Sequence, residues 1–125
     1  MSGRTLVELR VAPDAELLRS ARLVVSSLAA DRGFSLEEIE DLKLAVQEAC
    51  ASRLLLGLAR STVSVTIGDE AGLTIEVSGD VEGSGEPNED AAMCLALAEA
   101  LVDEYTVRRK DGVERIVLRK APAGA

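Results

Sequence analysis

Three places in this 125-residue chain combine residue types that could do chemistry. The first is Glu48, which interrupts the apolar, helix-like stretch LAVQEACASRLLLG (44–57). Ser52 lies four residues on and so shares its helix face. A carboxylate placed there can act as a general base or as an indirect ligand of Mg²⁺. It can equally be a solvated position on an amphipathic helix. The second is DVEGSGEPNE (80–89), where Asp80 precedes Gly83 and Gly85. A carboxylate beside glycines can hold a nucleobase and let backbone N–H groups approach phosphates, or Asp80 can simply cap a turn. The third is a run of Arg108, Arg109, Lys110, Arg115, Arg119 and Lys120, six of the 14 cations. Such charges decorate and protect an exposed hairpin, or they meet an acidic partner.

Composition removes whole classes of chemistry. The chain has no His, which excludes an imidazole base, a His-based triad and a His-ligated metal. Cys50 and Cys94 each sit in apolar helical stretches and read as buried thiols; two cysteines alone do not build a structural zinc site. No metal site is expected. The pattern GxxxxGK[ST] does not occur, nor does GxGxxG. With 22 acidic against 14 basic residues, the net charge of −8 disfavours direct nucleic-acid binding. Phe34 and Tyr105 are the only aromatics, so a base-stacking platform is excluded. No apolar run approaches the ~20 residues of a membrane span. The N-terminus alternates and carries charge, unlike a signal peptide. These features point to a cytoplasmic protein without a membrane partner.

The elements that must position these residues follow from periodicity. Leu6–Val11 alternates as a strand. After Asp14, a plausible N-cap, apolar residues from Leu17 to Leu28 recur at helical spacing, with Gly33 as the stop. Ser35-Leu36-Glu37-Glu38 is a capping box, flanked by Phe34 and Ile39 for a hydrophobic staple. That helix is expected to run to Leu56 before Gly57. Thr62–Ile67 and Leu73–Val77 alternate around a Gly68–Gly72 hairpin loop. Ala91–Val102 is helical, and Tyr105–Arg109 and Val113–Arg119 flank the favoured turn pair Asp111-Gly112. Residues 121–125 are expected to fray. The order β-α-α-β-β-α-β-β over residues 1–125 implies a single α/β two-layer sandwich: a mostly antiparallel five-stranded sheet covered on one face by three helices.

FSLEEIEDLKLAVQEAC (Phe34–Cys50) resembles the N-box helix of the small bacterial anti-sigma-factor serine kinases, part of the GHKL (histidine-kinase-like ATPase) superfamily. The strand Leu73–Asp80, the stretch ALAEALVDEYTVRRKDGVERIVL and the element order resemble the same family. The resemblance implies a histidine-kinase-like ATPase fold and a homodimer. It also implies binding to a sigma factor, to a STAS-domain anti-anti-sigma protein, or to both. It puts Glu48 at the catalytic-base position, Ser52 at the Mg²⁺-holding Asn, Asp80 near the adenine-recognising Asp, and Gly83 and Gly85 near the glycines of that box.

This chain departs from the family pattern at five points. Ser52 replaces Asn. The Asp box is one residue too long, with Glu82 inside it. Glu89–Leu95 replaces the glycines before the last helix. The lid between Asp80 and that helix is only about ten residues. Glu114 stands where the family carries a hydroxyl. Glycines let triphosphate approach a helix N-terminus, whereas Glu89 and Asp90 would satisfy the dipole themselves. The expectation is therefore a regulatory protein with an eroded nucleotide site, a non-enzyme with no cofactor. The alternative is an active serine-protein kinase that uses Mg-ATP, with Glu48 as its base, on a STAS-domain antagonist. A small-ligand sensor reusing the pocket is a third reading.

Overall fold

The computed structural model describes residues 3–12, 14–55, 63–81 and 88–124. The chain runs β1 (Thr5–Val11), α1 (Ala15–Ala30), α2 (Leu36–Leu54), β2 (Val63–Gly68), β3 (Leu73–Asp80), α3 (Glu89–Ala100), β4 (Glu104–Lys110) and β5 (Val113–Lys120). All five strands join one antiparallel sheet in the order β1-β2-β3-β5-β4. This is the element order and the two-layer class that the alternating and helical patterns imply.

Alternation decides which sheet face is buried. Val65 pairs with Leu9 and Val77, and Val77 pairs with Ile116, so one row of branched side chains crosses the sheet. Residues directly opposite one another share a face, and their contacts stabilise the ladder. Val63, Val65, Ile67, Leu73, Ile75, Val77, Ile116 and Leu118 are all essentially solvent-free. They meet Ala21, Val25, Ala29, Leu42, Ala45, Val46, Ala49 and Cys50 from α1 and α2, and Leu95 and Ala98 from α3. Small residues at Ala45 and Ala49 let α2 sit close to the sheet, between its two neighbours. The other sheet face carries Ser64, Thr66, Thr74, Glu76, Arg115 and similar residues, and no helix among the described residues covers it.

The helix ends carry their own chemistry. Asp14 caps α1 by accepting from the Glu16 N–H at 2.9 Å. Helix α1 ends at Ala30 with Asp31 as C-cap, earlier than the Gly33 stop; Gly33 instead turns the chain toward α2 at φ +81. The capping box is complete: Ser35 Oγ accepts from Glu38 N–H, and Glu38 accepts from Ser35 N–H at 2.8 Å. Helix α2 ends at Leu54 with Leu55 as C-cap, shorter than the reach to Leu56, while Leu56 and Gly57 fall outside the described residues. Helix α3 starts at Glu89, two residues earlier than Ala91, because Asn88 caps it.

The two hairpins differ in their turns. Asp111 and Gly112 both have positive φ, 55 and 78, the geometry of a type I′ turn. In the β2–β3 loop the positive φ values fall on Ala71 and Gly72. Gly72 has a second constraint: a Cβ there would stand 2.3 Å from the Lys120 carbonyl oxygen. The stretch after β5 does not fray over residues 121–124. Ala121 N–H donates to Asp103 at 2.8 Å, and Ala123 N–H donates to Glu38 at 2.8 Å.

Glu38 thus accepts from two backbone N–H groups, and its carboxyl is held below the ordinary 4.5 by them, the Ser35 bond first. A depressed folded value means stability present above the unfolded value and lost as pH falls through the folded one. Glu38→Gln is expected to flatten the acid limb of urea-denaturation stability below pH 4.5. Ser35→Ala is expected to cost about 1 kcal/mol at neutral pH in the same assay.

Candidate functional site

The C-terminal end of α2 lies over the ends of β3 and β5, and there the structure buries charge. Arg53 is 2% exposed and Glu114 is 1% exposed. Arg53 Nη1 donates to Glu114 Oε1 at 2.9 Å, and Arg109 Nε donates to the other carboxylate oxygen at 2.7 Å. Arg53 Nη2 donates to the backbone carbonyl of Asp80. The guanidinium lies flat against Gly79: a Cβ there would be 2.5 Å from Nη2 and 3.0 Å from Nε. Only a glycine leaves room for that approach. Arg53 Nε is buried with no hydrogen-bond partner, an unmet donor that typically costs about 1–3 kcal/mol.

The residues that sequence placed in the site are distributed around this ion pair. Ser52 is buried, and its hydroxyl donates to the Ala49 carbonyl at 2.6 Å, so it is spent on its own helix. Glu48 is half-buried one turn earlier and meets the Cys94 thiol of α3 as a hydrogen-bond partner. Glu48 and Ser52, expected to act from one face, therefore serve different neighbours. Asp80 is exposed at the end of β3, and its main chain, through the carbonyl, is what Arg53 binds. Gly83, Gly85 and Glu82 lie outside the described residues. Glu114, expected at the position of a hydroxyl, is an ion-paired anion in the inward row of β5.

Cys50 is fully buried, as its apolar setting implied, whereas Cys94 is only partly covered. Both are free thiols. Burial pushes Cys50 up to about 12. Cys94 is raised to about 11 by burial first, then by its hydrogen bond to Glu48 and by the charges of Glu48 and Asp90. Neither is a nucleophile at neutral pH. Among the described residues, no cluster of three or more Cys, Asp or Glu could hold a metal ion.

The amino end of α3 is joined to the end of α2. Asn88 Oδ1 accepts from Ala91 N–H at 2.8 Å while its Nδ2 donates to the Leu55 carbonyl at 3.0 Å. Glu89 and Asp90 fill the first turn of α3, where carboxylates complement the dipole. On the other flank, Val81 N–H donates to the Gly112 carbonyl at 2.9 Å, fixing the exit of β3 to the β4–β5 turn.

Arg53 and Arg109 had not been singled out as a pair with Glu114, although the signal was present. Arg53 follows Ala49 by four and Val46 by seven residues, which places it on the buried stripe of α2. Glu114 shares the inward phase with Ile116 and Leu118. A cation and an anion, each out of place on a buried face, are candidates for one another.

Known proteins resemble the chain along nearly its whole length. A family model described as the histidine kinase-like ATPase domain matches residues 11–120. The serine-protein kinase RsbW of Oceanobacillus iheyensis is 28% identical over 134 aligned positions, covering 90% of this chain and 85% of the relative. The serine-protein kinase RsbW of Bacillus subtilis is 27% identical over 128 positions, covering 86% and 80%. A crystal structure of the RsbU and RsbW domains of a Mycobacterium tuberculosis protein superposes with a TM-score of 0.66 at 20% identity. It covers 93% of this chain and 32% of that one, and it agrees in fold.

Removing one partner of a buried ion pair typically costs about 3–5 kcal/mol, whereas replacing both by apolar groups can be neutral. Arg53→Met and Glu114→Leu are each expected to be strongly destabilising in urea denaturation. The double variant is expected to recover most of the loss, giving a large coupling energy in the cycle. Both thiols should resist iodoacetamide at pH 7. Cys94 alone should begin to react in the folded protein as the pH approaches 11.

Proposed function

Because this chain belongs to the histidine kinase-like ATPase domain family, we propose that it regulates a sigma factor by holding protein partners, with an eroded nucleotide site. The partners are a sigma factor, a STAS-domain anti-anti-sigma protein, or both, and the protein works in the cytoplasm. No helix among the described residues is long and apolar enough to cross a membrane, which agrees with that setting. The names of the curated relatives, serine-protein kinases RsbW, support the class of regulator.

One observation carries the eroded-site part: the Arg53–Glu114 pair packed on Gly79 and bonded to the Asp80 carbonyl. Mg-ATP bound in the family's manner needs open space beside the adenine-recognising Asp, a metal-holding amide oxygen and uncharged or hydroxyl neighbours. Here a guanidinium lies against the β3 backbone, the Ser52 hydroxyl is turned onto its helix, and Glu114 supplies an anion. These residues do not fit that group. What they do instead is mechanical. The ion pair fastens the end of α2 to the ends of β3 and β5, and so holds the helical layer rigidly on the sheet for a partner to bind.

A second reading, an ATP-dependent serine kinase acting on a STAS-domain antagonist, is favoured by Glu48. That carboxylate keeps the family's base position and stays half-exposed. A homodimer is part of the first reading. Strand β1 lies at the sheet edge, and an unpaired edge is a ready seam for a second copy.

Calorimetry is expected to give no heat on titration with millimolar Mg-ATP or Mg-ADP, while the protein co-elutes with a sigma factor in size-exclusion chromatography. Micromolar binding lost in Glu48→Ala and Asp80→Ala would overturn the eroded site and establish the kinase. Light scattering should give twice the monomer mass. A monomer at every concentration would remove the β1 seam.

A further inference from the structure

The uncovered sheet face carries a row that neither the family relationship nor the candidate site uses. Strand register places Arg10 opposite Ser64, Ser64 opposite Ser78, Ser78 opposite Arg115, and Arg115 opposite Arg108. Val63, Val65, Val77, Glu114 and Ile116 are buried, and Leu9, Val11 and Val107 pack against the core, so the five side chains that alternate with them lie on the outer face in one line across all five strands. The line reads Arg, Ser, Ser, Arg, Arg and contains no acid. Arg10 and Arg108 are exposed and have no hydrogen-bond or ion-pair partner among the described residues. Arg115 is 57% exposed and, among the described residues, reaches only Glu76, at 3.4 Å.

Arg109, Arg119 and Lys120 of the basic hairpin are committed elsewhere, whereas Lys110 is exposed. Arg109 is held by Glu114, Arg119 by Glu70 and Glu104, and Lys120 donates to the Leu101 carbonyl. Arg108 and Arg115, by contrast, stand directly opposite each other, a like-charge pairing that weakens a sheet. On a protein of net charge −8, three arginines thus share one outward line, and only Arg115 has an acidic partner among the described residues.

We propose that this row is the docking surface for an acidic, extended segment of a protein partner, read by its carboxylates. Strands lie about 4.8 Å apart, so Arg115 and Arg108 can share one carboxylate. Arg10 lies three strands from Arg115, roughly 14 Å away. An extended chain rises about 3.3 Å per residue, so acidic residues four apart span about 13 Å and match both subsites. Ser64 and Ser78, between them, offer hydroxyls to the segment's backbone. A nucleic acid fits less well. The adjacent row contains Glu8 and Glu76, which a polyphosphate running past the arginines would meet.

The test titrates the whole ¹⁵N-labelled protein at low salt with a Ser/Gly peptide carrying two glutamates four residues apart. Amide shifts are expected at Arg10, Ser64, Ser78, Arg108 and Arg115. The dissociation constant should rise at least tenfold in Arg10→Gln/Arg108→Gln/Arg115→Gln and for an isomeric peptide with adjacent glutamates. Arg108→Thr should weaken binding without lowering the thermal midpoint, which separates docking from a structural role. Equal affinity of the triple variant, shifts scattered over other faces, or tighter binding of a single-stranded oligonucleotide of equal charge would each overturn the proposal.

Discussion

The packing of this molecule turns on a single buried contact, the guanidinium of Arg53 between the Glu114 carboxylate and the backbone of β3. Ion pairs at the surface contribute little, but a charge inside must be matched or it destabilises strongly. Arg53 and Glu114 are both solvent-free, so each makes the other necessary. Their reach is long in sequence, 61 residues, and it joins the middle helix to β5, the strand between β3 and edge strand β4. Gly79 is part of the same arrangement because a side chain there would collide with the guanidinium. So is Arg109, which brings edge strand β4 into the network through the second carboxylate oxygen. The phenol of Tyr105 is also drawn in: burial, then the charges of Glu99 and Glu114, push it up to about 12.

On the proposed reading, the contact also explains how a fold associated with nucleotide chemistry could persist without that chemistry. The core needs only branched side chains in register and small residues on α2. On that reading the end of α2 carries a salt bridge in place of a recognition surface. Binding a protein partner requires a rigid helical layer and exposed surfaces, both of which the molecule has.

Much of the fold was legible because period and punctuation agree. The Ser35 capping box is written in four residues, and the Asp111-Gly112 turn in two. Strand alternation from Val63 to Val77 fixes which face is buried. Helix ends were less legible. Ala30, Leu54 and Glu89 are boundaries set by tertiary neighbours as much as by local residues. Gly33 was read as a stop, yet it serves the connection after one, while Asn88 outranked the apolar run that begins at Ala91. The site was read through resemblance, which gave positions but not occupancy. Ser52 turns back on its helix, and Glu48 leans to Cys94; both depend on what α3 and the sheet supply. The Arg53–Glu114 pair could have been found by asking which charges fall on buried phases.

Asn88 offers a last consequence. Its amide uses both ends at once, the oxygen on the start of α3 and the nitrogen on the C-cap carbonyl of α2. Aspartate or serine could perform the first task but not the second in the same geometry. The two helix ends are thereby registered through space, although Leu55 and Asn88 stand 33 positions apart in the chain with a complete hairpin between them. Changes of length in the connections outside β2 and β3 can accumulate over evolutionary time without moving either helix end.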